Sequence, residues 1–466
     1  MLWLVIKKEI IHNVLSFRFV VTYALLFCLI LLAMLLMTSD YRDRFQEYNA
    51  AVNKERSRLD ELKKIDDPSE LFNEFQRTSF TGMREPRNLS ILARGLEGEL
   101  PNQVPGAGFM RFLSSEDRLG KNMLFEIFQT PDFVYVINIV MSLLALLFVF
   151  DAVCGEKEQG TLKLLMANSV PRDIVLIGKW IGGFVSIAVP FSVAVFGGFA
   201  FIYITGAMNS GEDGLTRFLL IFLLALVYIS AFFTLGLMIS TLAHRTSTAL
   251  LISLLVWICW ILVVPNMAPV VALLVAPVPG RQVIDAEKQA IDREAQLLME
   301  GIRKRKVYGD QKEMEQIQRS AEKRKNKLEE FYQDKMQTQV AMSQNLARLS
   351  PSASFLFAAT RLAGTGPVLS QQFQKARERF QEQHQSLRND LMRTLYQSGR
   401  AEFNNGRMTV KDSDWFQPDD LPRFRMFAED VTTSFNQGLF DVLLLVVFNV
   451  LFFMLAFLFF LRYDVT

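Results

Sequence analysis

The residues nearest to a nucleotide-binding pattern lie in the segment 151–180. A phosphate-binding loop needs G-x-x-x-x-G-K-[ST], because backbone N–H groups, a lysine and a hydroxyl together hold the phosphates and Mg²⁺. Gly155 and Gly160 have the required separation, but Thr161 stands where the lysine is needed. Lys179 also follows a glycine, but the residue after it is neither Ser nor Thr. We therefore expect this chain to hold no nucleotide of its own.

Other catalytic constellations are also missing from the sequence. The three histidines, His12, His244 and His384, are far apart, and no H-E-x-x-H pattern occurs, so a zinc cluster is not expected. The long apolar runs contain no charged residue that could act as an acid, a base or a proton relay. The sequence therefore predicts a protein that is not an enzyme, with no catalytic residue, metal or cofactor of its own.

The segment 151–180 is instead a short, charge-dense loop between two long apolar runs. Four of its charges are close together: Glu156, Lys157, Glu158 and Lys163. Leu162, Leu165 and Met166 then form an apolar face, and Thr161 is placed to cap the short helix that carries them. A short amphipathic helix between two spans lies at the membrane surface, where it contacts lipid headgroups or another protein. The charged, glycine-containing start favours a protein.

The string E-x-E-x-G-T-L, followed by leucine, by P-R and by G-K at the head of the next apolar run, resembles the coupling-helix region of type-2 ABC exporter permeases. In that family the loop sits in a groove of a separate ATPase subunit and transmits its ATP-driven closure. The resemblance implies that the ATPase-coupling residues are Glu156, Glu158, Gly160, Thr161, Leu162, Leu165 and Arg172. The alternative is an ordinary cytoplasmic loop whose charges only fix the orientation of the chain.

Two further stretches resemble one branch of these permeases. They are NLSILARGLEG at 88–98 and LSPSASFLFAATRLAGTGP at 349–367. The branch has large helical outer domains and is related to the gliding-motility and nitrous-oxide-reductase-maturation permeases. The second stretch has an uncharged part that is too short to span a membrane, so we expect it to lie at the interface or to pack in a core.

The composition is that of a membrane protein with large water-facing parts. Hydrophobic residues make up 51% of the 466-residue chain, which contains 40 Phe, and its mean hydropathy is +0.21. The net charge of +2 hides long uncharged runs that alternate with blocks rich in Lys, Arg, Glu and Gln. Such segregation does not indicate a nucleic-acid-binding protein.

Six apolar runs are long enough to cross about 30 Å of hydrocarbon as helices. The predicted spans are 19–39, 133–150, 180–205, 218–243, 246–264 and 442–461. Lys and Arg flank them on the side of both termini and of the 151–179 coupling loop, whereas the loop 205–216 has neither. The excess of positive charge marks the first side as cytoplasmic.

The remaining segments are assigned from their patterns. Residues 1–18 predict an amphipathic elbow helix on the cytoplasmic leaflet, with Lys7, Lys8, Glu9 and His12 on its polar face. The segment 265–280 is predicted to be broken or re-entrant because four prolines fall in or beside it. The blocks 40–132 and 281–441 would be extracytoplasmic, and their helical stripes, with a break at 308–310, predict a helical domain. The expected fold is thus an all-α membrane protein with six transmembrane helices and a large helical extracytoplasmic domain built from the first and last outer loops.

The leading hypothesis is a permease subunit of a bacterial cytoplasmic (inner) membrane transporter, which couples ATP hydrolysis on another chain to export or to mechanical work on a periplasmic partner. Its expected partners are a cytoplasmic ABC ATPase that binds ATP and Mg²⁺, a second permease chain, the lipid bilayer and a periplasmic protein, but no nucleic acid. The alternative is a multi-span receptor with a helical sensing domain, against which the short inner loops argue. The sequence leaves open the substrate, the choice between homodimer and heterodimer, and the choice between export and mechanotransmission.

Overall fold

The computed structural model describes residues 1–78, 80–106, 132–167, 171–206, 212–305, 310–404, 407–411 and 421–462. Within these ranges six helices are long and apolar enough to cross a membrane: Phe19–Leu62, Phe133–Glu158, Arg172–Ile204, Asp213–Leu242, Thr246–Val275 and Val431–Arg462. The described strands are few and short, so the chain is an all-α membrane protein, as expected from its sequence.

The elements follow one another in this order: α1 Leu2–Val14, α2 Phe17–Leu62, α3 Pro68–Arg77, β1 Thr81–Met83, β2 Gln103–Pro105, α4 (133–149), α5 Cys154–Glu158, α6 Thr161–Ala167, α7 Arg172–Ile204, α8 Glu212–Leu242, α9 Thr246–Val275, α10 Arg281–Arg305, α11 Asp310–Ala347, α12 Pro351–Ala363, α13 Pro367–Gln397, β3 Ala401–Asn404, β4 Arg407–Val410 and α14 Val431–Arg462. By internal contacts the chain forms two units, one of Met1–Ser253 with Phe355–Thr466 and one of Leu254–Ser354.

Helix α2 continues as a single helix for 46 residues, well beyond the predicted span 19–39. Its start is fixed by Ser16, whose hydroxyl accepts a hydrogen bond from the Phe19 N–H at 3.2 Å, as is typical of an N-cap. The long apolar part passes directly into a charged, water-facing part without an interruption. One continuous helix therefore carries both an apolar part of membrane-spanning length and a charged part.

Helix α9 continues to Val275 rather than breaking near Val264, although Pro265 and Pro269 lie within it. A π-helical turn, Cys259–Val263, immediately precedes Pro265. A proline inside a helix lacks an N–H and its ring crowds the carbonyl four residues earlier, and a π-turn changes the hydrogen-bond spacing at that point. The turn therefore accommodates the first proline without ending the helix.

The membrane part of the larger unit packs α8 against α4 and α14. The Tyr228 hydroxyl of α8 donates to the Asn138 side chain of α4 at 2.8 Å, and the Ser230 hydroxyl donates to Asn449 of α14 at 2.8 Å. These polar groups are satisfied across helices, as is typical of membrane-helix packing. Close approach needs glycine: a Cβ on Gly236 of α8 would lie 2.5 Å from Val149 of α4.

Outside the apolar spans, the larger unit joins the two stretches 88–98 and 349–367. The Thr365 hydroxyl donates to the Ala93 carbonyl oxygen at 2.8 Å, and the Leu96 N–H donates to the Thr365 carbonyl oxygen at 2.8 Å. Gly95 has φ +48°, and a Cβ there would lie 2.4 Å from that oxygen. Within the second stretch Phe355 is fully buried and stacks on Tyr228 with ring centroids 4.3 Å apart, so this stretch packs in a core.

Two small antiparallel sheets accompany these helices. Strand β1 pairs with β2 and β3 pairs with β4. A buried apolar cluster beside them includes Leu71, Phe72 and Phe75 of α3 and Leu395 of α13. The strands are three or four residues long, which explains why alternation in the sequence does not reveal them.

The smaller unit contains an antiparallel helical hairpin formed by α10 and α11. Ile291 and Ala295 of α10 are buried against Ala321 of α11. The Lys325 ammonium of α11 also pairs with Asp292 of α10 at 2.7 Å. Most of the predicted break at 308–310 lies outside the described residues.

One ion-pair group on this hairpin predicts a dependence of its stability on pH. Burial alone would raise the pKa of Glu329, but hydrogen bonds from Lys288 and Arg281 outweigh burial and lower the pKa from 4.5 to about 2. A carboxyl whose folded pKa is depressed stabilises the fold above its unfolded pKa and loses that contribution as pH falls. Hydrogen exchange of α10 and α11 should therefore lose protection between about pH 4.5 and pH 2. The loss should be smaller in E329Q than in wild type, whereas E330Q, at an exposed neighbour, should behave like wild type; equal profiles for E329Q and wild type would contradict the prediction.

Candidate functional site

Residues 151–167 contain two short helices. Helix α5 ends at Glu158, and α6 begins at Thr161. Gly160 between them has φ +75°, with nothing within 4 Å of a Cβ placed there. This left-handed conformation favours glycine over other residues, so Gly160 sets the direction of α6 relative to α5. The residues 168–170 lie outside the described part, and Pro171 immediately precedes α7.

Glu156 belongs to a buried group of charges. Its carboxylate lies 2.9 Å from the Lys179 ammonium of α7 and 3.5 Å from the ammonium of Lys8. Lys179 also pairs with Glu9 of α1 at 3.1 Å, and the Lys179 side chain is only 3% exposed. A buried ammonium is tolerated when carboxylates neutralise it. The Glu9–Lys179–Glu156 cluster therefore joins α1, α5 and α7.

Glu9 is not on the solvent-facing side of α1, where the predicted polar face places it. It is buried because α1 lies closely against α7. A Cβ on Gly182 of α7 would lie 2.8 Å from the Cβ of Glu9, and one on Gly178 would lie 2.7 Å from Val5. The absence of side chains at these glycines lets α1 approach, and Lys179 supplies the charge that makes burial of Glu9 tolerable.

The next two charges of the loop bind the ends of two spans. The Lys157 ammonium donates to the carbonyl oxygens of Thr241 and Ala243, the latter at 3.3 Å, at the C-terminal end of α8. Glu158 accepts from the Thr246 N–H at 3.0 Å and from its hydroxyl at 2.9 Å. A cation suits a helix C-terminus and an anion suits a helix N-terminus. The pair therefore joins the end of α8 to the start of α9.

Two more contacts complete the loop. The Ser240 hydroxyl oxygen of α8 accepts from the Val153 and Cys154 N–H groups at 3.0 and 3.1 Å. At the other end, the Arg172 guanidinium donates to the carbonyl oxygen of Leu461 at 2.6 Å, near the C-terminus of α14. Residues 153–158 are thus bonded to α7, α8 and α9, and the start of α7 is bonded to the end of α14.

The apolar face of α6 is directed into the protein. Leu162 is fully buried and Leu165 is half-buried, whereas Leu164 is 69% exposed. Thr161 is also exposed, and its hydroxyl lies 3.4 Å from the Glu156 carbonyl oxygen. The outer surface of the loop consequently presents Thr161, Lys163 and Leu164. Of these, only Thr161 belongs to the coupling residues expected from the resemblance.

A comparison with protein families decides what kind of protein this is. The family described as "ABC-2 family transporter protein" matches residues 3–465. The chain belongs to the ABC-2 transporter family. A comparison with individually curated proteins gave no match. Members of the ABC-2 family are membrane components of ABC transporters, so this chain is a multi-pass membrane protein and a permease component, and the family implies a partner ATPase.

The described residues of the 151–172 segment make contacts with several helices. The side chains of α5 join it to α1 and α7 through Glu156, to the end of α8 through Lys157 and to the start of α9 through Glu158. Among the described residues, no group of three or more His, Cys, Asp or Glu side chains is arranged to hold a metal ion. Glu9 and Lys157 are not among the coupling residues that the resemblance implies. The signal in the sequence was an acidic residue in an amphipathic helix and a lysine beside the end of a span.

Proposed function

We propose that this chain is the permease subunit that couples ATP hydrolysis by a separate cytoplasmic ATPase to export or to mechanical work on a periplasmic partner. The ATPase would bind the 151–179 loop, and ATP with Mg²⁺ would be held by that partner. The observation that carries the proposal is the bonding of α5 to α1, α7, α8 and α9, together with the bond from Arg172, at the start of α7, to the end of α14.

The orientation is part of the proposal. Both termini and the 151–179 loop would face the cytoplasm of a bacterial inner membrane, because Lys and Arg concentrate beside these segments. The contact surface for the ATPase would be the exposed side of α6 with Gly160 and Thr161. Four of the expected residues are buried or partly buried and would act from within the permease: Glu156, Leu162, Leu165 and Arg172. Glu158 is exposed, but its bond to Thr246 of α9 gives it the same role.

The movement would pass along identifiable bonds. ATP-driven closure of the ATPase would push α6, and α5 would move with it through the turn at Gly160. Glu156 would carry the displacement to α7 through Lys179, while Lys157 and Glu158 would carry it to α8 and α9. A second permease chain, identical or related, would complete the transport pathway.

Membership of the ABC-2 family favours this proposal over a multi-span receptor, because the family consists of transporter components. The hydrogen bonds between 88–98 and 349–367 support the placement in the branch with large helical outer domains, since both stretches that carry that resemblance meet through Thr365. Work on a periplasmic protein would use those outer helices.

We expect L164D to weaken binding of the ATPase about tenfold, because a contact that covers Leu164 would then cover an unpaired carboxylate. Charge reversal at Glu156 or Glu158 is a less clean test, since it also breaks bonds within the permease. The measurement is co-purification of the ATPase with the full-length chain, followed by permease-stimulated ATP hydrolysis.

The matched control is L298D, at an exposed leucine of α10. It introduces the same charge and should leave ATPase binding as in wild type. If no ABC ATPase co-purifies with the wild-type chain, the proposed function fails. If L164D binds the ATPase and stimulates hydrolysis like L298D, the docking surface on α6 fails.

A further inference from the structure

Helix α8 connects the coupling loop to a second group of bonds at its other end. At its C-terminal end, Lys157 donates to the carbonyl oxygens of Thr241 and Ala243. Arg217 lies near the opposite end, in the second turn of the helix, which begins at Glu212. The 31 residues of α8 cover about 46 Å at 1.5 Å per residue. One continuous helix without an internal proline therefore connects the two groups of bonds.

Arg217 is buried, and its guanidinium donates hydrogen bonds to three separate segments. It binds the Leu362 carbonyl oxygen near the end of α12 at 2.8 Å. It also binds the Ser434 hydroxyl of α14 at 3.2 Å and the Glu429 carbonyl oxygen in the segment before α14. A planar guanidinium, with five N–H donors in a fixed arrangement, suits such a junction better than an ammonium does. The start of α8 is thereby bonded to the end of α12 and to the start of α14.

The charge of Arg217 is balanced within the same group. The carboxylates of Asp213, Asp430 and Glu429 all act electrostatically on this guanidinium. Because three acidic groups oppose one cation, the group is not suited to binding a further anion. Its hydrogen bonds instead hold three backbone segments together, so we expect the role of Arg217 to be the positioning of these segments.

Two further contacts bind α12 to the same pair of spans. The Arg361 guanidinium of α12 donates to the Asp441 carboxylate of α14 at 3.0 Å, and Asp441 is fully buried. Phe355 of α12 stacks on Tyr228 of α8. Because α12 contacts α8 and α14 at several points along its length, a displacement of either span would act directly on α12.

The end of α12 is joined to the part of the larger unit outside the apolar spans. Thr365, two residues beyond α12, donates through its hydroxyl to the Ala93 carbonyl oxygen and accepts from the Leu96 N–H. Helix α13 begins at 367, directly after this connection. The Arg87 guanidinium then donates to the Gln372 side chain of α13 at 3.2 Å. A movement of α12 would therefore act on both the 88–98 stretch and the start of α13.

Helices α8 and α14 are also bonded to each other between their ends. The Asn449 side chain of α14 accepts from the Ser230 hydroxyl of α8 and donates to the Val227 carbonyl oxygen at 3.0 Å. Hydrogen bonds of this kind join helices within a membrane. They oppose sliding of one helix along the other, so a displacement at the inner end of α8 would involve α14 as well.

We propose that Arg217 is a positioning residue that transfers a displacement of α8 to α12, and through α12 to α13. The inference rests on the proposed coupling function and extends it, because it assigns a site at the end of α8 opposite to the coupling loop. A series of contacts transmits a movement only if a change at one end alters the other end. The test therefore measures both ends in the same sample.

The test uses the full-length chain in lipid nanodiscs with its co-purified ATPase, compared without nucleotide and with ATP and vanadate. Hydrogen exchange is followed in two regions, residues 153–167 and α13. In wild type, ATP should change the exchange of both regions. In R217Q the change should persist in 153–167 and be lost in α13, because the two N–H donors of a glutamine side chain cannot bind three segments at once.

The matched control is R84Q. Arg84 is also buried, but its bonds to Glu97 and Asn102 stay within the segment 84–102. R84Q should lower the thermal stability, as R217Q does, yet keep the ATP-dependent change in both regions. If either glutamine variant does not fold, R217K and R84K, which keep the charge, are compared in the same way and with the same expected difference.

The outcomes separate this inference from the proposed function. If ATP changes the exchange of neither region in wild type, the proposed coupling function fails. If ATP changes 153–167 but not α13 in wild type, that function stands and the role of Arg217 fails. The role of Arg217 also fails if R217Q keeps the change in α13, or if R84Q loses it together with R217Q, since a general loss of stability would then account for the result.

Discussion

Replacing Lys179 with methionine is expected to lower the free energy of unfolding by about 3–5 kcal/mol, which is the usual cost of breaking a buried ion pair from one side. Lys179 lies between the carboxylates of Glu9 and Glu156, at 3.1 and 2.9 Å. K179M would leave these two carboxylates close together without their shared cation. Reversible unfolding in mixed micelles of detergent and dodecyl sulfate measures the change.

Two further variants make the K179M result specific. K163M makes the same substitution at an exposed position of the loop and should change the free energy of unfolding by less than about 0.5 kcal/mol. The triple variant E9Q/E156Q/K179M removes all three charges and should recover most of the lost stability, since a neutral buried cluster has no unpaired charge. If K179M is as stable as K163M, or if the triple variant is no more stable than K179M, the cluster does not stabilise the fold.

The positions of the apolar spans could be read from the sequence, because about 20 apolar residues are needed to cross a bilayer and few other structures need them. The residues at which the helices begin and end could not be read from it. The apolar part of α2 ends near residue 39, yet the helix continues to Leu62. Hydropathy indicates whether a segment faces lipid or water, but it does not indicate where a helix ends. Likewise, prolines in α9 indicate a break, but the π-turn at Cys259–Val263 depends on backbone bonding that composition does not encode.

The candidate site was partly predictable. The charge density and glycine of 151–180 single out the loop, but not the partners of its charges. The resemblance predicts that Glu158 couples the chain to the ATPase, whereas in the structure it bonds to Thr246, 88 residues later in the chain. Glu9 and Lys179 are separated by 170 residues, and nothing in the local pattern of either helix indicates that they meet. Pairings of this kind arise from tertiary packing, which a single sequence does not specify.

That packing rests on glycine at position 182, and G182L is expected to displace α1 from α7. A Cβ at this position would lie 2.8 Å from the Cβ of Glu9 and 3.0 Å from the carbonyl oxygen of Ile6. The Ile6 carbonyl oxygen belongs to the backbone of α1, which cannot rotate away as a flexible side chain can. The whole of α1 must therefore move. Overpacking of this kind costs about 1–3 kcal/mol, and withdrawal of Glu9 would add the loss of its ion pair with Lys179. We expect faster proteolysis within residues 1–16 and a lower free energy of unfolding.

G197L on the same helix is the control for G182L, because nothing lies within 4 Å of a Cβ at Gly197. Leucine has a higher helix propensity than glycine, so G197L should leave stability unchanged or slightly raised. Comparison of G182L with G197L also separates an effect on helix packing from an effect on coupling to the ATPase. If α1 takes part in transmission through Lys179, G182L should still bind the ATPase through the exposed side of α6 but stimulate its hydrolysis less than G197L does. Equal stimulation by both variants, with α1 shown by proteolysis to be displaced in G182L, would place α1 outside the route by which the loop acts on the spans.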